Sequence, residues 1–292
     1  MTDTHLPAEH PVRGIALMCA AVLCFVVMNT LVKTLAPDYS VAQIIWARYF
    51  FHFLLILVLF PRRIPTLLIT RRRGLQVLRS VLVLLATLCM YSALRYLPLA
   101  DVVAITFVAP LLVTGLSVLV LGEQVGPRRW SAVVVGFVGV LVIIRPGLGI
   151  AHWAAVLPLL MATFYAIYQI VTRMIRGAAD PLNSLFYLAL VGVVATSVVA
   201  PFDWVWPDWR AWLMLIGTGF FGGLGHFAMI RAYESSPAAT IAPFAYTELL
   251  WALGLGAIVF GDFPDTWTLV GAAIVAGSGL YVLRRERVRG AG

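Results

Sequence analysis

The chain repeats itself at a fixed offset. Ala93-Leu-Arg-Tyr-Leu-Pro98-Leu-Ala100, leading to Leu121-Gly122-Glu123, returns as Ala232-Tyr-Glu-Ser-Ser-Pro237-Ala-Ala239, leading to Phe260-Gly261-Asp262. The offset is 139 residues, and it also carries Gly115 onto Gly254 and Arg145 onto Arg284. Each copy holds an odd number of apolar stretches. Two copies of an odd-span unit must lie in a bilayer with opposite orientation, the inverted-repeat arrangement.

That argument needs a membrane, and composition supplies it. Apolar residues fill 62% of the 292 positions, only 12% are charged, and mean hydropathy is +0.96. A soluble domain has about 45–50% apolar and about 25% charged residues. The apolar stretches run to roughly the 17–25 residues a crossing helix needs. The shorter segments of alternating polarity that mark an outer-membrane barrel are absent.

Turn signals such as Pro37-Asp38, Pro61-Arg62, Pro146-Gly147 and Phe263-Pro264-Asp265 divide the chain into ten stretches. They fall near 13–34, 41–60, 75–96, 100–121, 129–145, 151–172, 181–200, 211–232, 237–260 and 266–283. The predicted fold is all-α: ten transmembrane helices forming a first five-helix repeat, 13–145, and a second, 151–283. A tail at 1–12 and a basic tail at 284–292 flank them. The loops are too short to fold a soluble catalytic or nucleotide-binding module.

With the N-terminus in the cytoplasm, inside segments hold 15 basic residues and outside segments only Lys33, Arg95, Arg145 and Arg210. This bias predicts a multi-pass protein of the cytoplasmic (inner) membrane with both termini inside. The net charge of +8 is then topology signal and contact with anionic membrane lipids, not a nucleic-acid surface. Cys19, Cys24 and Cys89 fall inside spans, and the N-terminal segment does not read as a cleaved signal peptide.

The paired Pro-Leu-Ala-type start of spans four and nine, the Leu121-Gly122-Glu123 motif, and the glycine-rich fifth and tenth spans resemble the EamA family of the drug/metabolite transporter superfamily. The resemblance runs over about 13–285 and is better in the first copy, since the second reads Phe260-Gly261-Asp262. It implies two inverted five-helix repeats around a central cavity lined mainly by spans three, four, eight and nine, with spans one, two, six and seven as gates. Members are secondary transporters of small metabolites. Exporters of neutral and aromatic amino acids look similar over their full length, as do uptake carriers for S-adenosylmethionine or riboflavin. The first expectation is amino-acid export by alternating access, with uptake of another metabolite as the alternative.

Glu248, mid-way along span nine, is the most exceptional residue, because a carboxylate there costs roughly 2.5–3.5 kcal/mol on insertion scales. It must face the bundle interior or water, where it would bind an amine, couple protons, or hydrogen-bond a neighbouring helix. Its repeat mate is Ala109. Arg48 in span two, one helical turn before His52, docks a carboxylate, snorkels to the outer interface or forms a fixed ion pair with another helix. Arg79 starts span three on the basic side and reads as interfacial.

His226, within a run of glycines in span eight, lines a pathway or satisfies one bond in a packed interior. Tyr91, Phe107, Tyr246 and Trp251 put rings on spans expected to border the pathway, as do Tyr165, Tyr168 and Phe227. Each is equally ordinary packing material. Asn29 and Gln169 are candidate gate contacts, and Pro110 and Pro243 candidate hinges.

Glu123 and Asp262 read as capping groups for the following helices. Gly136, Gly139, Gly271 and Gly277 read as close-packing faces within a monomer, with a homodimer seam the open alternative. No metal-ligand spacing, cofactor motif or catalytic motif is present, so an enzyme is not expected. The sole lysine is Lys33 and no phosphate-binding glycine loop exists, which excludes an ATP-driven pump. Channels tend to carry charged rings or filter loops, and here the charges are scattered.

Overall fold

The structure is a computed structural model that describes residues 11–67, 69–70, 72–122, 127–145, 153–174, 181–236 and 241–290. Glu123 and the Pro237 end of the second repeat motif lie outside them. Among the described residues the secondary structure is helical: α1 Pro11–Leu35, α2 Val41–Leu59, α3 Arg73–Leu94, α4 Leu99–Thr106, α5 Ala109–Leu121, α6 Pro127–Ile144, α7 Val156–Met174, α8 Pro181–Val199, α9 Trp209–Ser235, α10 Thr247–Leu255 and α11 Thr266–Gly290.

Seven helical stretches are long and apolar enough to cross a membrane: Val12–Leu35, Val41–Leu59, Arg73–Leu94, Leu99–Val120, Trp153–Thr172, Leu182–Asp203 and Trp209–Ser235. Trp130–Ile144, Phe244–Phe260 and Thr266–Tyr281 are apolar but shorter. The chain is a multi-pass membrane protein.

The fourth and ninth stretches are not the single helices expected. Pro110 has no N–H to offer the carbonyl of Thr106, four residues back, and α4 ends at Thr106. Val108 N–H bonds Ile105 O and Leu111 N–H bonds Val108 O, the tighter three-residue spacing, before α5 proceeds. In the ninth stretch a 3₁₀ segment, Ala242–Tyr246, precedes α10, and a π turn, Gly256–Phe260, follows it. The stretches end alike: Gly122 and Gly261 cap them at φ 66° and 68°, a left-handed conformation open to glycine without steric cost.

The packing repeats the sequence symmetry. Helix α1 lies on α9 and α3 on α7; α2 lies on α9 and α3 on α8; α1 meets α10 and α5 meets α7. Exchanging the two copies turns each contact into another that is present. The remaining large contacts, α2 on α8 and α6 on α11, map onto themselves. The α6–α11 contact is backbone-close, since a Cβ on Gly271 would stand 2.6 Å from the Gly139 carbonyl oxygen.

At one end of the bundle Ser40, Asp208 and Asp265 cap α2, α9 and α11 by accepting from the N–H groups of Gln43, Ala211 and Thr268. The Gln43 amide there donates to Val205 O at 2.7 Å and accepts from Val205 N–H at 3.1 Å. At the other end Arg72 donates to Met174 O at 2.7 Å and Asn183 to Ile69 O at 3.2 Å.

Candidate functional site

Polar side chains gather where α2 packs on α3 and α9 and α3 packs on α7. Arg48 is buried, 7% exposed, so the snorkelling reading fails. Its guanidinium donates to Thr87 Oγ1 at 2.7 Å and lies over the rings of Tyr49 and Tyr91, 5.2 and 5.6 Å from their centroids. Tyr49 shares Thr87 at 3.1 Å. His52, one turn on, stacks on His226 with centroids 5.9 Å apart, and Phe25 meets the edge of His226 at 4.9 Å.

Glycines permit this closeness. A Cβ on Gly222 would come within 3.1 Å of Met28 Sδ and 3.7 Å of Arg48 Nε. Several buried polar atoms in the region have no hydrogen-bond partner among the described residues: Asn29 Oδ1, Arg48 Nε, His52 Nδ1 and His226 Nε2.

A second group adjoins the first. Arg79 is also buried, 5% exposed, which corrects its interfacial reading. Its guanidinium lies over Tyr168, 5.2 Å from the ring centroid, and Tyr168 stacks on Tyr165 at 5.4 Å. Glu248 stands within electrostatic reach of Tyr165 and forms no hydrogen bond or ion pair with a described residue. Both Arg48 and Arg79 bear electrostatically on His226.

Phe107 and Tyr246 pack together at 4.9 Å, at the breaks in the fourth and ninth stretches. Pro110 lies in the first turn after its break, and Pro243 falls in the 3₁₀ segment. Gln169 is half-buried on α7. Trp251 stands apart: 41% exposed, it makes no ring contact with a described residue.

The end capped by Ser40, Asp208 and Asp265 holds features that sequence reasoning assigned otherwise. Lys33 pairs with Asp262 at 2.9 Å and donates to Leu97 O at 2.9 Å. Asp262 therefore joins the two halves, and the capping role expected of it belongs to Asp265, which also pairs with Arg145. A cavity of about 590 Å³ opens here, lined among others by Lys33, Arg95, Tyr96, Phe260 and Asp262. Among the described residues no group of three or more His, Cys, Asp or Glu could hold a metal ion. Cys19, Cys24 and Cys89 are free thiols.

Two halves alike in sequence and in packing, meeting around unpaired interior charges, are the layout of a carrier. The EamA-like transporter family pattern matches residues 12–145 and 152–284. The chain belongs to the EamA-like transporter family. A riboflavin transporter of Vibrio cholerae is 29% identical, over 95% of both chains. An S-adenosylmethionine uptake transporter of Rickettsia prowazekii is 25% identical over 94% of both, and a pseudopaline exporter of Pseudomonas aeruginosa 27% identical over 94% of this chain and 97% of its own. A solved crystal structure superposes with a TM-score of 0.65 at 14% identity, covering 94% of this chain and 98% of its own, a likeness of fold alone. Of these relatives one is named for uptake and one for export, and none of the three for an amino acid.

Proposed function

We propose that this EamA-family protein is a secondary carrier of small amphipathic metabolites, working by alternating access in the inner membrane. Ten spans in two inverted repeats, 13–145 and 151–283, would place both termini in the cytoplasm, with a monomer the favoured unit. The observation that carries this reading is the exchange symmetry of the packing, centred on Phe107 and Tyr246. Two like halves that meet at a shared axis can tilt about a site on it and open it to either side in turn.

The cargo rests against rings and a few polar anchors: Arg48, His226, Glu248, Tyr91, Phe107 and Tyr246, with Asn29 and Gln169 toward the gates. Neutral and aromatic amino acids, exported, are the first reading. The identity to a riboflavin transporter over nearly the whole chain favours a second, a larger planar metabolite.

Counterflow in liposomes separates the two. Labelled phenylalanine, threonine and riboflavin are offered outside, with and without the same unlabelled compound inside. Saturable, trans-stimulated flux of either amino acid supports the first cargo reading, and flux of riboflavin alone supports the second. Linear flux that ignores internal substrate removes the carrier mechanism.

A further inference from the structure

Among the described residues two interior arginines have no carboxylate partner: Arg48 and Arg79, both more than nine-tenths buried. An arginine stays protonated under any condition a cell offers. Holding an ion away from water is costly even after relaxation, and an aromatic face returns only part of that cost.

Arg48 recovers part of the remainder through Thr87, yet its Nε meets no acceptor among the described residues. Arg79 has the Tyr168 face alone: it makes no hydrogen bond to a described residue, and its Nε too is bare. Glu248 is the carboxylate near this region and pairs with neither arginine. With Glu248 ionised the group carries a net charge of +1, and with it protonated +2. A neutral zwitterion corrects neither sum.

We propose that Arg48 and Arg79 form a two-point anion site, and that the cargo is an amphipathic acid with more acidic than basic groups. Its carboxylate or phosphate oxygens reach the guanidinium N–H groups left unused, while its ring lies among Tyr91, Tyr165 and Tyr168. Planar guanidinium groups bind such oxygens in pairs. The symmetry mates of Arg48 and Arg79 are Tyr187 and Thr218, so the site has a polarity that the fold lacks. This rests on the carrier reading for the word cargo and replaces its neutral amino acid with a net acid, but the anion site can be tested without transport.

The test is binding to purified protein in phosphatidylcholine nanodiscs, followed by intrinsic tryptophan fluorescence. Four probes share one ring: isophthalate, benzoate, benzamide and benzylamine. Isophthalate should bind about tenfold more tightly than benzoate, and benzoate about tenfold more tightly than benzamide, the worth of one charge-assisted contact at each step. Arg79→Gln and Arg48→Gln should each reduce isophthalate to the affinity of benzoate.

Arg79→Lys and Arg48→Lys, which keep the charge, should retain the order and guard against a merely misfolded variant. Benzamide binding as tightly as benzoate, an order unmoved by either glutamine variant, or no acid binding at all would overturn the proposal. Counterflow of labelled isophthalate that fails with the order intact would remove the carrier reading and leave the anion site standing.

Discussion

Phe107 and Tyr246 occupy the same position of the two repeats, 139 residues apart, and their rings pack against each other at 4.9 Å. A residue touching its own symmetry mate marks the axis that relates the halves. Both sit where their helices are interrupted, so the axis passes through backbone already released from regular hydrogen bonding.

The pair should therefore act as one unit. A double-mutant cycle of Phe107→Ala and Tyr246→Ala, read from unfolding in detergent, should give a coupling of about 0.5–1.5 kcal/mol, typical of paired rings. Additive losses would show that the rings are neighbours without energetic consequence.

The Lys33–Asp262 pair ties the end of α1 to the end of the ninth stretch, across the two halves. Lys33→Ala or Asp262→Asn should loosen that end. In a variant with the three native cysteines replaced, a cysteine at Tyr96 in the adjoining cavity should then react several-fold faster with a membrane-impermeant thiol reagent. The charge-reversed pair, Lys33→Asp with Asp262→Lys, should restore the slow rate. An unchanged rate in all three would mean that the end is held elsewhere.

Asp265 should make stability depend on acid pH. The Thr268 backbone N–H, helped by Arg145, holds its carboxylate below the ordinary range, outside the spans. A depressed folded value means the contribution is full above the unfolded value of about 3.9 and is lost as pH falls through the folded one. Thermal unfolding of Asp265→Asn should therefore lie below wild type at pH 7, and the gap should close toward pH 3. A gap of equal size at both pH values would assign the effect to geometry, not charge.

Glu248 should confer the pH response of transport. Glu248→Gln keeps the shape and a hydrogen-bonding end but cannot exchange a proton. Its flux in liposomes should persist while losing its response to a pH gradient. A wild-type response in the variant would place coupling on another group.

Glycines of the α6–α11 contact should differ sharply from one exposed on the same helix. Gly271→Ala forces a Cβ to within 2.6 Å of Gly139 O and should destabilise by about 1–3 kcal/mol. A Cβ at Gly277 meets nothing within 4 Å, so Gly277→Ala should be neutral or add roughly 0.5–1 kcal/mol through helix propensity. Equal effects at both sites would contradict the close contact.

What the sequence made legible follows from what hydropathy and spacing measure. They report how much of a stretch is apolar and how often it recurs, which suffices for the helices, their rough limits and the repeat. They do not report which way a side chain turns. Arg79 lies six residues into α3, close enough to an end to read as interfacial, yet its helix face directs it inward onto Tyr168. Asp262 matched Glu123 by position and so took on a shared role, while its actual partner, Lys33, lies far off in the chain. Trp251 shares its span with interior rings, yet its own helix face leaves it 41% exposed. The breaks at Pro110 and Pro243 were visible as prolines, but their alignment through Phe107 and Tyr246 appears only when the backbone is followed.

The contact between α6 and α11 has a further consequence. Side chains that interdigitate can slide past one another by changing rotamer, but Gly139 and Gly271 bring main chain against main chain, with no side chain to yield. In the rocking proposed above, that unyielding contact, which maps onto itself when the repeats are exchanged, would serve as a fulcrum, and the other helices would supply the travel.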